Sequence, residues 1–285
     1  MESSELFSGS KPTGKHSDTT DQQSSSDESN AFIVEDGEVF QLPPEFSMET
    51  HQDLSLQFKK IFQFFVHVAV QPPAGRSAYM EQQMQEEEYF SVPLQVTRRK
   101  LSGLRDSLVS SSVWRPAFTK SLEKYPEFQL VELDFAVPSC DACHLGGRMS
   151  TLLGRLSGSQ YHKDGFETIP SEGHASGGEA SKEFHLGRFC ARRTRVFHNF
   201  CHWEYGLFQS ILQEIKSLKT SSSTTFHPIA FFRGKEPPED LNDADGLCDW
   251  LDERKIIDLE WQRLKNMMES ARHLELRDRN GEIDD

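Results

Sequence analysis

The stretch Asp53–Val70, DLSLQFKKIFQFFVHVAV, places apolar residues at Leu54, Phe58, Ile61, Phe62, Phe65 and Val68 before Gln71-Pro72-Pro73 stops the pattern. Steps of three and four residues bring side chains onto one face of an α-helix, whereas a strand buries every second residue. The segment predicts a core helix, and the rest of the chain has to supply surface to cover it. With 285 residues, 36% of them hydrophobic and 21 of them Phe, the chain has enough material for one domain of moderate size or two small ones.

Further helical patterns run over Val96–Ser110, Trp114–Leu122, Cys190–Leu218 and from Asp243 onward. In the Cys190–Leu218 segment Phe197, Phe200, Tyr205, Leu207, Phe208, Ile211 and Ile215 give a broad apolar face. In the last segment Ile257, Trp261, Leu264, Met268 and Ala271 make one buried stripe, too short for a coiled coil and suited to packing on the domain. FQLVELDFAV, Phe128–Val137, alternates and is rich in strand formers, so it reads as a strand. Arg148–Ser157 and Glu183–Arg188 read as the two strands of a small β-hairpin, joined by a polar loop over about 159–182 that is expected to be mobile.

The first 30 residues are Ser, Thr, Asp, Gln and Gly with almost nothing apolar, and cannot offset the entropy of ordering; they read as a disordered acidic tail. The serines beside acids in SSSDESN fit an acidophilic kinase site or a merely solvating tail. Phe32, Ile33 and Val34 mark entry into a single domain over 31–276, and 277–285 is a polar tail. The net charge of −14 opposes a nucleic-acid footprint over the whole surface, although residues 1–40, with nine acids and two lysines, carry half of it. An apolar run of membrane-spanning length and a signal-peptide core are both absent, so an intracellular protein without membrane association is expected.

Five cysteines in a reducing compartment read as thiols or metal ligands rather than disulfides. Cys140-Asp-Ala-Cys143 has the two-residue spacing that lets both thiolates face one tetrahedral ion. The order that follows is strand, loop, strand, then Cys190 at the start of a helix, where amide dipoles favour the thiolate. That order is treble-clef-like, and it implies a structural Zn2+ held by Cys140, Cys143 and Cys190. The usual fourth ligand one turn into the helix is missing, since Arg193 and Thr194 stand there. His144, His185, His198 and His202 are the candidates, and His198 is the one named here, although it lies eight residues on, about 12 Å along an ideal helix. The competing reading makes these cysteines ordinary core thiols.

A set of motifs together resembles the domain-of-unknown-function 4211 family, known from the C-terminal part of coiled-coil domain-containing protein 82 and its fungal relatives. They are Phe32-Ile-Val-Glu-Asp, Leu42-Pro-Pro-Glu-Phe46, Cys140-x-x-Cys143, Leu156-Ser-Gly158 with Tyr161, LGRFCARRTRVFHNFCHWEY from Leu186 to Tyr205, and DADGLCDWLDERKIIDLEWQRL from Asp243 to Leu264. The resemblance covers about residues 31 to 275. It implies a nuclear protein and brings no reaction with it.

Arg188, Arg192, Arg193 and Arg195 form a basic cluster beside the zinc element, with Phe189, Phe197 and Trp203 nearby. Such a patch can contact phosphates or a partner, face solvent, or pair with the chain's own many carboxylates. Nucleophile elbows, P-loops, HExxH and dinucleotide fingerprints are all missing. DLNDADG fails as a calcium loop because Arg254 stands where a bidentate Glu is needed, and Asp243 or Asp245 reads instead as a helix cap. The expectation is an α+β fold, mostly helical, with a small hairpin and a zinc-knuckle, treble-clef-like element. Functionally it is a non-catalytic nuclear adaptor for a protein or chromatin partner, with no small-molecule substrate; the alternative is nucleic-acid binding through Arg188–Arg195.

Overall fold

Helix α1, Leu54–Val70, is buried over most of its circumference: Phe58, Ile61, Phe62, Phe64, Phe65, Val66 and Val68 are each at most 1% exposed. A computed structural model describes residues 53–169, 181–221 and 237–280, all within one compact unit, Leu42–Asp285. The tail at 1–30, the entry segment at 32–34 and the last five residues lie outside the described residues.

Around α1 pack α2 (Arg76–Glu86), α3 (Glu88–Leu104), α6 (Trp203–Ser221), α7 (Ala244–Glu253) and α8 (Ile256–Asn280). α4 (Pro116–Lys124) and α5 (Arg188–Cys201) complete the eight helices among the described residues. α3 runs through Pro93, whose missing N–H removes one bond near the helix start. A π-turn over Arg105–Val109 then ends it. Arg98 of α3 donates through Nε and Nη2 to the two carboxylate oxygens of Glu204 in α6, at 2.8 and 2.6 Å. Arg98→Ala leaves that half-buried carboxylate without its fork and is expected to cost about 1–2 kcal/mol. A urea titration should show a lower midpoint at unchanged slope; an unmoved midpoint would reduce the pair to a surface ornament.

The strands β1 (Glu127–Pro138), β2 (Met149–Ser157) and β3 (Lys182–Leu186) form one antiparallel sheet in the order 1-2-3. Sequence had offered a hairpin preceded by a separate strand; pairing of Leu130 with Gly154 and of Leu153 with His185 joins all three. Between Glu132 and Val137 the β1–β2 register slips, so Leu133–Ala136 stand outside the ladder.

Two helices expected to be continuous are broken. His202, with φ −116°, separates α5 from α6. Its Nε2–H donates to the Leu122 carbonyl at 2.8 Å, and its Nδ1 accepts from the Tyr161 hydroxyl at 2.7 Å. α7 and α8 part at Lys255, which has φ 66°, while Arg254 pairs with Glu214 at 2.6 Å and lies over Trp250. Asp243 caps α7, its carboxylate accepting from the Gly246 amide.

The expected mobile loop also needs correction over its first part. Tyr161 bridges to Thr168, the amide of His162 donates to Glu167, and that of Ile169 donates to Gln160. Phe166 inserts into the core, stacking on Phe208 at 4.6 Å and meeting Phe65 edge-on. At Gly165 φ is +82°, and a Cβ would lie 2.6 Å from the Ser77 amide nitrogen, so only glycine fits there. Residues 170–180 lie outside the described residues.

Candidate metal centre

β1 ends at Pro138, and Ser139 turns the chain with φ 71°. The turn is tied at both sides: the Ser139 amide donates to Arg148, and the Ser150 hydroxyl donates to the Ser139 carbonyl at 2.6 Å. The Cys140–Cys143 turn follows, closed by the His144 amide donating to the Cys140 carbonyl. Asp141 clamps this turn onto β3. Its amide donates to the His185 carbonyl at 2.9 Å, and its carboxylate accepts from the His185 amide at 2.6 Å. From the other side, Arg115 donates its amide to the Ala142 carbonyl. β3 then leads through Gly187 into α5, whose first turn carries Cys190.

The result brings Cys140, Cys143 and Cys190 together, with their sulfurs within 4.8 Å of one another and all three residues buried. Thiolates around a tetrahedral ion of this kind stand roughly 3.8 Å apart, given metal–sulfur bonds near 2.3 Å. Cys140 is the most acidic thiol of the set, its pKa drawn below the ordinary thiol value. The largest cause is a hydrogen bond from the Cys190 thiol; burial opposes it, and the amides of Gly187, Cys143 and Ala142 add to it. The Gly187 amide lies 3.5 Å from the Cys140 sulfur. Cys190 is correspondingly held as a thiol, first by that same hydrogen bond and then by burial. The Trp114 indole N–H, which has no other acceptor, opposes this weakly. Buried sulfurs close together, one of them facing amide donors that favour its thiolate form, are a donor set suited to a soft or borderline cation such as zinc.

His198 is not part of this group, which corrects the ligand set read from sequence. Its Nε2–H donates to the Tyr125 carbonyl at 2.8 Å, and its ring lies against Phe128 and His202. A regular helix carries it two turns beyond Cys190, and the sheet edge fixes it there. Neither His144 nor His185 joins the three cysteines, and His202 is held by Leu122 and Tyr161. Among the described residues the group therefore has three members.

The four arginines also divide. Arg193 turns inward, donating to the carbonyls of Leu108 and Val109 at 3.3 and 3.0 Å, where it caps the π-turn, and it lies over the Phe189 ring. Arg188, Arg192 and Arg195 are exposed and spaced four and three apart, so they share one face of α5. They line two adjoining hollows of about 350 and 620 Å3 that share Glu132, Leu152 and Arg192. Leu130, Val196 and Leu274 give the larger hollow apolar walls, and His273 of α8 adds a further basic group. Sequence gave no signal for His273 or Leu274, because only the crossing of α8 over α5 brings them here.

A mostly helical α+β domain with a three-cysteine cluster between a tight turn and a helix start is the class that this geometry defines. The chain belongs to the family described as domain of unknown function DUF4211, which matches residues 20–166. Cys140 and Cys143 lie inside that match, and Cys190 and the arginines lie beyond it. An uncharacterised protein of the fission yeast Schizosaccharomyces pombe is 28% identical over 257 residues, covering 86% of this chain. The matched part is 37% of that relative's length. No solved structure matches the chain. Among the described residues no helix is long and apolar enough to cross a membrane.

Proposed function

We propose that this chain is a non-catalytic nuclear interaction module, stiffened by a structural zinc in a treble-clef-like setting at Cys140, Cys143 and Cys190. In this reading it takes a protein partner along the arginine face of α5. The carrying observation is that Arg188, Arg192 and Arg195 line one groove on the helix whose first turn supplies Cys190. A zinc bound there ties the turn after β1 to the start of α5, and so fixes the groove wall against the sheet. The cavities along α5 are lined by none of the three cysteines, which favours a structural over a substrate-binding role for the ion.

The partner's chemistry follows from the lining. The exposed guanidinium groups of Arg188 and Arg195 suit carboxylates, while Leu130, Leu152, Val196 and Leu274 call for apolar side chains between them. An extended segment alternating acidic and apolar residues satisfies both. Glu132 inside the groove and the apolar walls disfavour a phosphodiester backbone, which offers charge without side chains to bury. The nuclear location rests on the family resemblance.

The test is fluorescence anisotropy of a labelled peptide alternating leucine and glutamate. Saturable binding is expected, weakened at least tenfold by the triple change R188E/R192E/R195E at unchanged melting temperature. A triple variant that binds equally well would sink the groove. Duplex DNA bound instead, with affinity falling steeply as salt rises, would favour the nucleic-acid alternative.

A further inference from the structure

The acids Asp106, Glu123, Asp134, Asp164, Glu183 and Glu204 bound three stretches of chain, 107–122, 135–163 and 184–203. Inside those bounds stand nine Lys and Arg and a single acid, Asp141, in a chain whose acids outnumber its bases by 45 to 31. All three stretches meet at the three-cysteine centre, at the end of the sheet where β1 stops and β2 begins. The Arg115 amide donates to the Ala142 carbonyl at 3.3 Å, the Arg148 carbonyl accepts from the Ser139 amide at 2.9 Å, and Arg188 stands two residues before Cys190. Asp141 is spent on the His185 amide. Arg115, Arg148 and Arg188 are exposed, and among the described residues none of them pairs with a carboxylate.

Apolar side chains share this end of the sheet. Val113, Leu145, Met149 and Phe189 are four of the nine large apolar side chains exposed among the described residues, and each flanks a segment of the centre. Arg193 lies over one face of the Phe189 ring, which is nonetheless 45% exposed. The loop from His144 to Arg148 is exposed throughout, and the amides of Gly146 and Gly147 donate to no described residue.

The occupant follows from the signs. A protein partner ordinarily presents both signs of charge and is met by both, whereas a surface cleared of free carboxylates over three separate stretches suits a polyanion. Guanidinium groups and open backbone amides are phosphate donors. A duplex backbone would leave Phe189, Leu145 and Met149 uncovered, and the unstacked bases of a single strand would cover them. We propose that this end of the sheet, over the three-cysteine centre, binds single-stranded nucleic acid, with Arg115, Arg148 and Arg188 on phosphates and Phe189 against a base. The surface shares only Arg188 with the α5 groove, and it does not rest on the partner read there.

The test is anisotropy of a labelled oligothymidylate with the full chain over a salt series. Saturable binding is expected at low salt, with log affinity falling against log salt at a slope of about −2 for three phosphate contacts. R115E/R148E changes two exposed side chains outside the groove, and should weaken binding at least tenfold with metal content and melting temperature unchanged. Phe189→Ser should weaken binding at unchanged slope. Arg195→Glu should weaken the leucine–glutamate peptide and spare the oligothymidylate, so that failure here and failure of the groove are told apart. The proposal is overturned if the wild type shows no binding at low salt, or if R115E/R148E binds as tightly as the wild type. It is likewise overturned if duplex DNA binds more tightly than the single strand, or if polyglutamate of matched charge competes on equal terms, which would assign the surface to an acidic polypeptide.

Discussion

Cys140→Ser is expected to abolish metal binding and to lower the stability of the domain by several kcal/mol. Binding free energy at a structural thiolate site is folding free energy, because the unfolded chain holds no preformed site. Cys140 is the most demanding position to change. It is 1% exposed, the Gly187 amide and the Cys190 thiol favour its thiolate form, and it sits between β1 and the clamp that Asp141 makes on β3. Cys190→Ser should match it from the helix side, whereas Cys201→Ser should leave the metal in place, since Cys201 lies outside the cluster. The check is elemental analysis of purified protein beside thermal melts. One zinc per chain, lost in both cluster variants with a large drop in melting temperature, is the expected result. Wild-type protein without metal, and a Cys140→Ser melting temperature equal to it, would make the three sulfurs ordinary core thiols.

The elements legible in the sequence were those whose order is set locally. α1 announces itself because its apolar residues recur at helical spacing, and Pro72 and Pro73 mark its end. α2 does not, because only Met80 among its residues is buried and RSAYMEQQMQE has no apolar stripe to read. The breaks at His202 and Lys255 are equally silent. Nothing near His202 interrupts a helix; what holds it are Leu122 and Tyr161, 80 and 41 residues away in the chain. Phe166 was hidden inside a polar stretch for the same reason, its partners Phe65 and Phe208 being distant.

The candidate site divides along the same line. The spacing of Cys140 and Cys143, and a cysteine opening a helix, are local signals, and the three sulfurs do converge. His198 was chosen on type and proximity, yet a backbone carbonyl from before β1 is what it meets, and no sequence pattern encodes that contact. The arginines hold a signal that went unused. At about 100° per residue, Arg193 cannot share a face with Arg188, Arg192 and Arg195, and its inward cap on the π-turn follows from that geometry.

Acid should unfold this domain at a higher pH than its carboxylates alone would dictate, and His198 with His202 is the reason. Burial is the largest cause at both; at His198 the neighbouring His202 adds to it and draws the pKa from an ordinary 6.5 to about 4, and at His202 the direction is the same. The folded state thus keeps His198 neutral while the unfolded chain takes up a proton near pH 6.5. Between those two values the unfolded state binds more protons, so stability is fully present above about pH 6.5 and is lost as pH falls towards 4. The full span is worth about 3 kcal/mol for His198, of which about 2 kcal/mol is gone by pH 5. His202 deepens the loss over the same range. Metal release in acid would act in parallel, so the informative quantity is a double difference: urea stability at pH 7.5 and pH 5, in the wild type and in His198→Gln. The variant keeps an amide donor for the Tyr125 carbonyl and removes the titrating ring. Its pH dependence should be shallower by about 2 kcal/mol, with the metal contribution cancelling between the two proteins. Parallel pH profiles would mean that His198 can protonate in place, its ring reached by water from the side facing away from the Tyr125 carbonyl.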